Sequence, residues 1–286
     1  MLERICIIGF GEVAQTVVSA SSLQSQPACY DIKTNNPRQR SAKERDYHKT
    51  RVRGCSTLAE ALGGADVVLS VVTADQALAA AKAAAHFLPQ GALYCDMNSV
   101  APDTKIQAAQ TITDAGGQYV DVAIMSPIMP LALKSPLLLS GPRAEEGQAA
   151  MQHVGFTKTK VVGDHVGQAS ITKMIRSVMV KGLEALTAEC VLAANTAGVL
   201  EDVAGTFEEG WLDKANYRLE RMIVHGERRA AEMEEVVRTL DALGAGSVMS
   251  QGTVARQSAL GALGHASPAL CLQGKLASLS KKEEAA

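Results

Sequence analysis

Gly9-Phe10-Gly11-Glu12-Val13-Ala14 follows the apolar run Ile5-Cys6-Ile7-Ile8 and opens a helical pattern. Each position has a physical job. Gly9 permits a tight turn, Gly11 lets backbone approach an anion, and Ala14 lets the next helix pack close to the strand. The N–H groups that start this helix, around Gly11, Glu12 and Val13, then face a pyrophosphate. Alone, the motif is only a tight turn. Asp31, however, ends the next apolar run, about 20 residues on, where a carboxylate holds a ribose 2′-hydroxyl. The constellation reads as a dinucleotide site formed by Gly9, Phe10, Gly11, Glu12, Val13 and Asp31. Thr73, after a later strand, lies where such a cofactor crosses the sheet edge, or else it caps a helix. Asp31 favours NAD, because a carboxylate repels a 2′-phosphate. Lys33, Thr34, Asn35, Arg38 and Arg40 could instead cradle that phosphate or form an ordinary polar loop, so NADP stays open.

A second set of residues lies on one long helical stretch, 168–197. With Lys173 as origin, Ser177, Lys181 and Glu184 fall near about 40°, 80° and 20° at 100° per residue. They form one polar stripe. Met174, Ile175, Val178, Met179 and Leu186 lie on the other side, and Arg176 falls near about −60°. A helix leaving a nucleotide domain would aim this stripe into an interdomain cleft, although from spacing alone it reads as a solvated face. A lysine suits proton transfer, since burial and a nearby nicotinamide cation both disfavour its charged form. Arg176 and Lys181 together could bind an anionic group, or be surface charge.

The elements that must position these residues change character midway. Short apolar runs at 4–8, 28–31, 66–72, 92–96, 118–122, 137–140 and 160–162 predict strands. They alternate with helical patterns at 12–23, 57–62, 75–87, 102–115 and 143–154. This alternation predicts an α/β Rossmann domain over 1–164, with a doubly wound, mostly parallel sheet. Residues 165–286 read as the long connecting helix and an all-helical second domain, with further helices at 216–225, 228–243 and 248–263. Residues 38–49 read as a solvated loop and residues 278–286 as a fraying tail. The chain has 286 residues, and single cores stop growing near roughly 250–300, which also favours two domains.

Three further motifs, Asp96-Met97-Asn98-Ser99-Val100-Ala101-Pro102, Asp121-Val122-Ala123-Ile124-Met125-Ser126-Pro127 and Gly163-Asp164-His165-Val166-Gly167 followed by Lys173, resemble the β-hydroxyacid dehydrogenase family. That family includes 3-hydroxyisobutyrate dehydrogenase and the N-terminal region of 6-phosphogluconate dehydrogenase. The second motif resembles its D-A-P-V-S-G-G substrate loop with the glycines missing. The helical half, with His225-Gly226-Glu227-Arg228-Arg229, is similar to a phosphogluconate-dehydrogenase-like branch. The resemblance implies reversible, NAD(P)-dependent oxidation of a small β-hydroxy acid, or reduction of its keto or semialdehyde form. It implies Lys173 as general acid/base, and Ser99 with the backbone of Ala123, Ile124 and Met125 on the substrate carboxylate. Arg176 and Lys181, read from the helix rather than from the resemblance, are further candidates for the substrate, with surface charge as the alternative. Ser177 stands where the family has asparagine, and a hydroxyl has less reach and fewer donors than an amide. That departure supports one alternative, an imine or ketone reductase; a nucleotide-binding protein without turnover is another, against which Lys173 argues. His165 reads as a loop residue; His225, Arg228 and Arg229 either reach the cleft or lie on a helix surface.

Net charge is −2 without a clustered basic excess, so neither nucleic acid nor a membrane surface is an expected partner. No apolar run reaches the roughly 20 residues of a membrane helix, and the N-terminus lacks a signal-peptide pattern. Six cysteines without paired or zinc-type spacing point to a reducing compartment, the cytoplasm. No Ser/His/Asp order, metal-ligand cluster or phosphate-binding P-loop is present. The partner expected is a small acidic substrate, and the apolar surface of the helical half predicts a homodimer.

Overall fold

The computed structural model describes residues 4–264 and 267–283. The chain divides into two compact units, Met1–Lys173 and Met174–Ala286. The break lies beyond residue 164, because the first turn of the long helix is anchored to the sheet.

The first unit alternates strands and helices. In order they are β1 (Ile5–Ile8), α1 (Glu12–Ala20), β2 (Ala28–Tyr30), α2 (Pro37–Thr50), β3 (Arg53–Gly54) and α3 (Leu58–Leu62). Then come β4 (Val67–Ser70), α4 (Ala77–Ala85), β5 (Leu93–Asp96), α5 (Pro102–Asp114) and β6 (Gln118–Ile124). The series ends with β7 (Leu137–Ser140), α6 (Ala144–Val154) and β8 (Thr159–Gly163). The sheet runs β3-β2-β1-β4-β5-β6-β7-β8. Among these pairings only β6 with β7 is antiparallel. The order reverses between β1 and β4, which makes their carboxyl ends the topological switch point.

Strand periodicity divides the core between two faces. Ile5, Ile7, Leu69, Cys95 and Val120 pack on one side, and Cys6, Ile8, Val68, Tyr94 and Tyr119 on the other. Because helices cover both faces, β1 and β4 are buried at every position. Cys6, Cys29 and Cys95 are small buried hydrophobes, and burial pushes the Cys6 and Cys95 thiols up to about 12.

The second unit is helical: the rest of α7 (Gln168–Thr196), then α8 (Leu200–Ala204), α9 (Trp211–Ala242), α10 (Val248–Gly261) and α11 (Leu272–Glu283). No described helix is long and apolar enough to cross a membrane.

Three expectations are corrected, and one strand is added. Residues 38–49 are not a loop but most of α2, capped by the Asn36 side chain and entered through Pro37. β3 is a two-residue strand too short to announce itself. The expected break between 225 and 228 does not exist, and α9 runs through it. Gly226 is there for packing: an added Cβ would lie 2.4 Å from the Gln257 carbonyl oxygen and 2.6 Å from Gly261 Cα. Finally, α11 carries residues 278–283 of the expected tail, while 284–286 lie outside the described residues.

Candidate active site

Gly9 and Gly11 prove to be glycines for different reasons. Gly9 has φ +87°, and an added Cβ would sit 2.6 Å from the Val71 carbonyl oxygen. The fold itself therefore requires it. Gly11 has φ −90° and serves as the N-cap of α1 without a side-chain oxygen. A Cβ there would meet nothing within 4 Å. Its missing side chain thus keeps open space at a helix N-terminus, the cradle a pyrophosphate needs. Glu12 is exposed, Val13 is half-buried, and Ala14 is 2% exposed beneath them.

Asp31 pins this loop. Its Oδ2 accepts the Phe10 N–H at 2.8 Å, and its Oδ1 accepts the Lys33 N–H at 2.9 Å. The Phe10 carbonyl in turn accepts from Lys43 Nζ at 2.7 Å, and the Phe10 ring packs 5.0 Å from that of Tyr47. Phe10 therefore belongs to the core, and its backbone shapes the loop. Of the expected phosphate-binding residues, Thr34 is buried and donates to the Asp31 carbonyl, and Arg40 Nε donates to the Thr34 carbonyl. Asn35 donates to the Tyr30 hydroxyl, while Lys33 and Arg38 side chains are exposed. Thr73 is exposed at the N-cap of a short 3-10 turn but makes no cap hydrogen bond.

The loop after β5 is tied down by Asn98. Its Oδ1 accepts the Val72 N–H at 2.7 Å, its Nδ2 donates to Ser70 Oγ at 3.0 Å, and its own N–H donates to Asp96 Oδ1 at 2.9 Å. The adjacent Ser99 hydroxyl is buried without a hydrogen-bond partner. The expected substrate loop from 121 begins later than its motif suggests. Ala123 and Ile124 lie inside β6, paired with Leu138 and Leu137 of β7. The Met125 N–H is spent on the Pro136 carbonyl at 2.9 Å. The Met125 N–H, expected to hold a carboxylate, is thus already taken. Just beyond the strand, the Ser126 hydroxyl is also buried and without a partner. It occupies a glycine position of the resembling motif, which hides it as a candidate.

Asp121 anchors α7. Its Oδ2 accepts from the N–H of Gly167 at 3.2 Å, the N–H of Ser170 at 2.9 Å and the Ser140 hydroxyl at 3.2 Å. Its Oδ1 accepts from the Ser170 hydroxyl at 2.6 Å. Lys105 Nζ lies 3.3 Å from Asp121 Oδ1, and donates to Asp96 Oδ1 at 3.0 Å and the Asp96 carbonyl at 2.6 Å. Tyr119 donates to Asp96 Oδ2 at 2.7 Å. Asp96, Lys105 and Asp121 are each 0% exposed. Sequence reasoning missed Lys105, although a signal existed: it shares a helical stripe with Ala108 and Ile112, the other buried positions of α5.

Lys173 is half-buried in the first turns of α7. Beyond it, the polar stripe is buried rather than solvated, and part of the apolar side of the helix is exposed. Ser177, Lys181 and Glu184 are buried at 7%, 5% and 5%, whereas Ile175, Met179 and Leu186 are 50%, 63% and 57% exposed. Met174 and Val178 do join an apolar cluster with Met233 and Val236. Ion pairs permit this burial: Lys181 pairs with Glu232 at 2.7 Å, and Glu184 accepts from the Arg229 guanidinium. Burial pushes the Lys181 pKa down, against the pull of Glu232. Arg176 is exposed, and His165 is a surface residue beside Asp164. His225 is half-buried and Arg228 exposed. Among the described residues no cluster of His, Cys, Asp or Glu could hold a metal.

Residues 4–146 match the family described as the NAD binding domain of 6-phosphogluconate dehydrogenase, and residues 194–260 match a domain of unknown function, DUF1932. A conserved hypothetical protein from Sinorhizobium meliloti 1021 is 35% identical, with 98% of this chain and 97% of that one covered and a TM-score of 0.74. Conserved protein MTH1747, of unknown function and structurally similar to 3-hydroxyacid dehydrogenases, is 30% identical over 90% and 96% of the two chains, with a TM-score of 0.68. At 14% identity, 3-hydroxyisobutyrate dehydrogenase of Mycobacterium tuberculosis, solved with L-serine, shares the fold over 92% and 94%, with a TM-score of 0.71.

Proposed function

This chain belongs to the family of the 6-phosphogluconate dehydrogenase NAD binding domain, and from that premise we propose that it is an NAD(P)-dependent dehydrogenase of a small β-hydroxy acid. The carrying observation is Gly11, whose absent side chain keeps open space over an uncapped helix N-terminus. A dinucleotide held there, with Asp31 and the Phe10–Val13 backbone around it, supplies the hydride acceptor. In this reading Lys173 takes the proton from the substrate hydroxyl during oxidation and returns it during reduction. The unpartnered hydroxyls of Ser99 and Ser126 donate to the substrate carboxylate, since an unmet buried hydroxyl is costly until it finds an acceptor. Ser177, one turn beyond Lys173, takes the place of an amide near the substrate hydroxyl. Arg176 is the remaining candidate for an outer anionic group. Lys181 would serve only by leaving Glu232.

Turnover with a panel of short 3-hydroxy acids, using NAD and NADP in turn, tests the proposal. At least one acid is oxidised, and NAD gives the higher kcat/KM. Asp31→Ala narrows that gap, since it removes the repulsion of a 2′-phosphate. A strong wild-type preference for NADP would assign the choice to Lys33 and Arg38 instead. Reduction of imines without oxidation of any hydroxy acid would favour the reductase reading, which the serine at 177 supports.

We further infer a cytoplasmic homodimer. Ile175, Met179, Leu183 and Leu186 recur along α7 at helical spacing and are 39–63% exposed, an apolar stripe suited to a second copy. Light scattering is expected to give twice the 30.0 kDa chain mass, and Met179→Glu to shift it to the monomer. A wild-type monomer would remove this inference.

A further inference from the structure

Lys105 is a charged side chain with no exposed surface, and the proposed chemistry gives it no role. Burying one ammonium with two carboxylates is a poor way to gain stability, because desolvation offsets most of the attraction. Apolar residues of similar size would fill the space as well. What the charges do provide is direction. Through Asp96 the ammonium holds the start of the loop that carries Ser99, and Asp121 holds α7 at its first turn. A single carboxylate grips Ser170 twice, at its N–H and at its hydroxyl. Lys173 follows three residues later on the same rigid helix, about 4.5 Å further along the axis. With Ser170 fixed, the root of the Lys173 side chain can neither slide nor rotate about the axis.

We propose that Asp121, held by Lys105, is a positioning residue that sets the placement of Lys173 relative to the Ser99 loop. This rests on the reading of Lys173 as the proton-transfer group. Asp121 is suited to the task because it is acceptor-only when ionised. It faces donors on every side: two backbone N–H groups, two hydroxyls and an ammonium. An asparagine of the same shape must present an NH2 group to at least one of those donors, so the first turn of α7 has to move.

The test uses Asp121→Asn in the full chain, with Ser170→Ala as a milder second variant that removes only the hydroxyl contact. The primary readout needs no substrate: the NMR titration of the Lys173 side chain, assigned by its disappearance in Lys173→Ala. Amide hydrogen exchange at Gly167 and Ser170 accompanies it. The expected result for Asp121→Asn is an unchanged NADH dissociation constant, faster exchange at both amides and a displaced Lys173 titration. With a turned-over substrate, kcat falls by about 10²-fold, as a misplacement near 1 Å would give, while KM changes little. If Asp121→Asn does not fold, Ser170→Ala should show the same pattern at smaller size. A folded variant with wild-type exchange, titration and kcat overturns the proposal. Full activity in Lys173→Ala would instead overturn the chemical role of Lys173, and the titration would still decide whether Asp121 positions it.

Discussion

Lys173→Ala lowers kcat by about 10²–10⁴-fold, the usual worth of general acid–base catalysis, and leaves NAD(P)H binding nearly unchanged. The split follows from where the residue lies. Lys173 stands on α7, whereas the cradle at Gly9–Val13 is built from the β1–α1 turn. In oxidation the lysine must arrive unprotonated to accept the hydroxyl proton. The rate therefore rises with pH through the lysine titration, and that limb is absent in the alanine variant. Reduction shows the opposite slope. Lys173→Arg recovers little, because a guanidinium stays protonated and cannot accept. Steady-state kinetics across pH with a fluorescence titration of NADH measure both halves. Near-full activity in Lys173→Ala would leave the lysine as a surface residue and bring the imine or ketone reductase reading forward.

Gly11→Val is expected to remove nucleotide binding from a folded protein. At φ −90° and ψ −159° the backbone is extended, not left-handed, and an added Cβ meets no protein atom within 4 Å. The cost falls on the ligand, because the side chain occupies the approach of the pyrophosphate to the α1 N-terminus. Loss of two charge-assisted hydrogen bonds, each worth about 1.5–3 kcal/mol, weakens binding by roughly 10²–10⁴-fold. Calorimetry of NADH binding, with circular dichroism to confirm the fold, reads this directly. Gly9 would be the wrong choice, since any side chain there clashes with Val71 and unfolding would hide the answer. Wild-type NADH affinity in a folded Gly11→Val protein would move the dinucleotide elsewhere.

The sequence made the sheet legible where burial is continuous. β1 and β4 are covered on both faces and stand out as unbroken apolar runs. α2 was hidden because it buries only Lys43 and Tyr47, too little apolar signal to show a helical period. The break expected between 225 and 228 falls at Gly226, where close packing rather than termination calls for glycine. On α7, helical spacing left the polar stripe open between a cleft-facing and a solvated reading. Hydropathy assigns charges to water, but Lys181 and Glu184 find their partners on α9, more than forty residues away in sequence. No property of α7 alone carries that information. The candidate site divides in the same way. The Gly9–Asp31 loop is local chemistry and was readable, whereas the grip of Lys105 and Asp121 on α7 joins segments that only the folded sheet brings together. Ser126 was visible but masked by the motif it interrupts.

The central claim is hydride transfer from a β-hydroxy acid to a nicotinamide. The most direct measurement uses a 3-hydroxy acid carrying deuterium on its C3 carbon, incubated with NAD and the wild-type protein, with mass spectrometry of the recovered nucleotide. The account predicts reduced nicotinamide that carries the deuterium, formed by the wild type and only in traces by Lys173→Ala. Unlabelled reduced nucleotide, or none from any acid in the panel while NADH still binds, would contradict it.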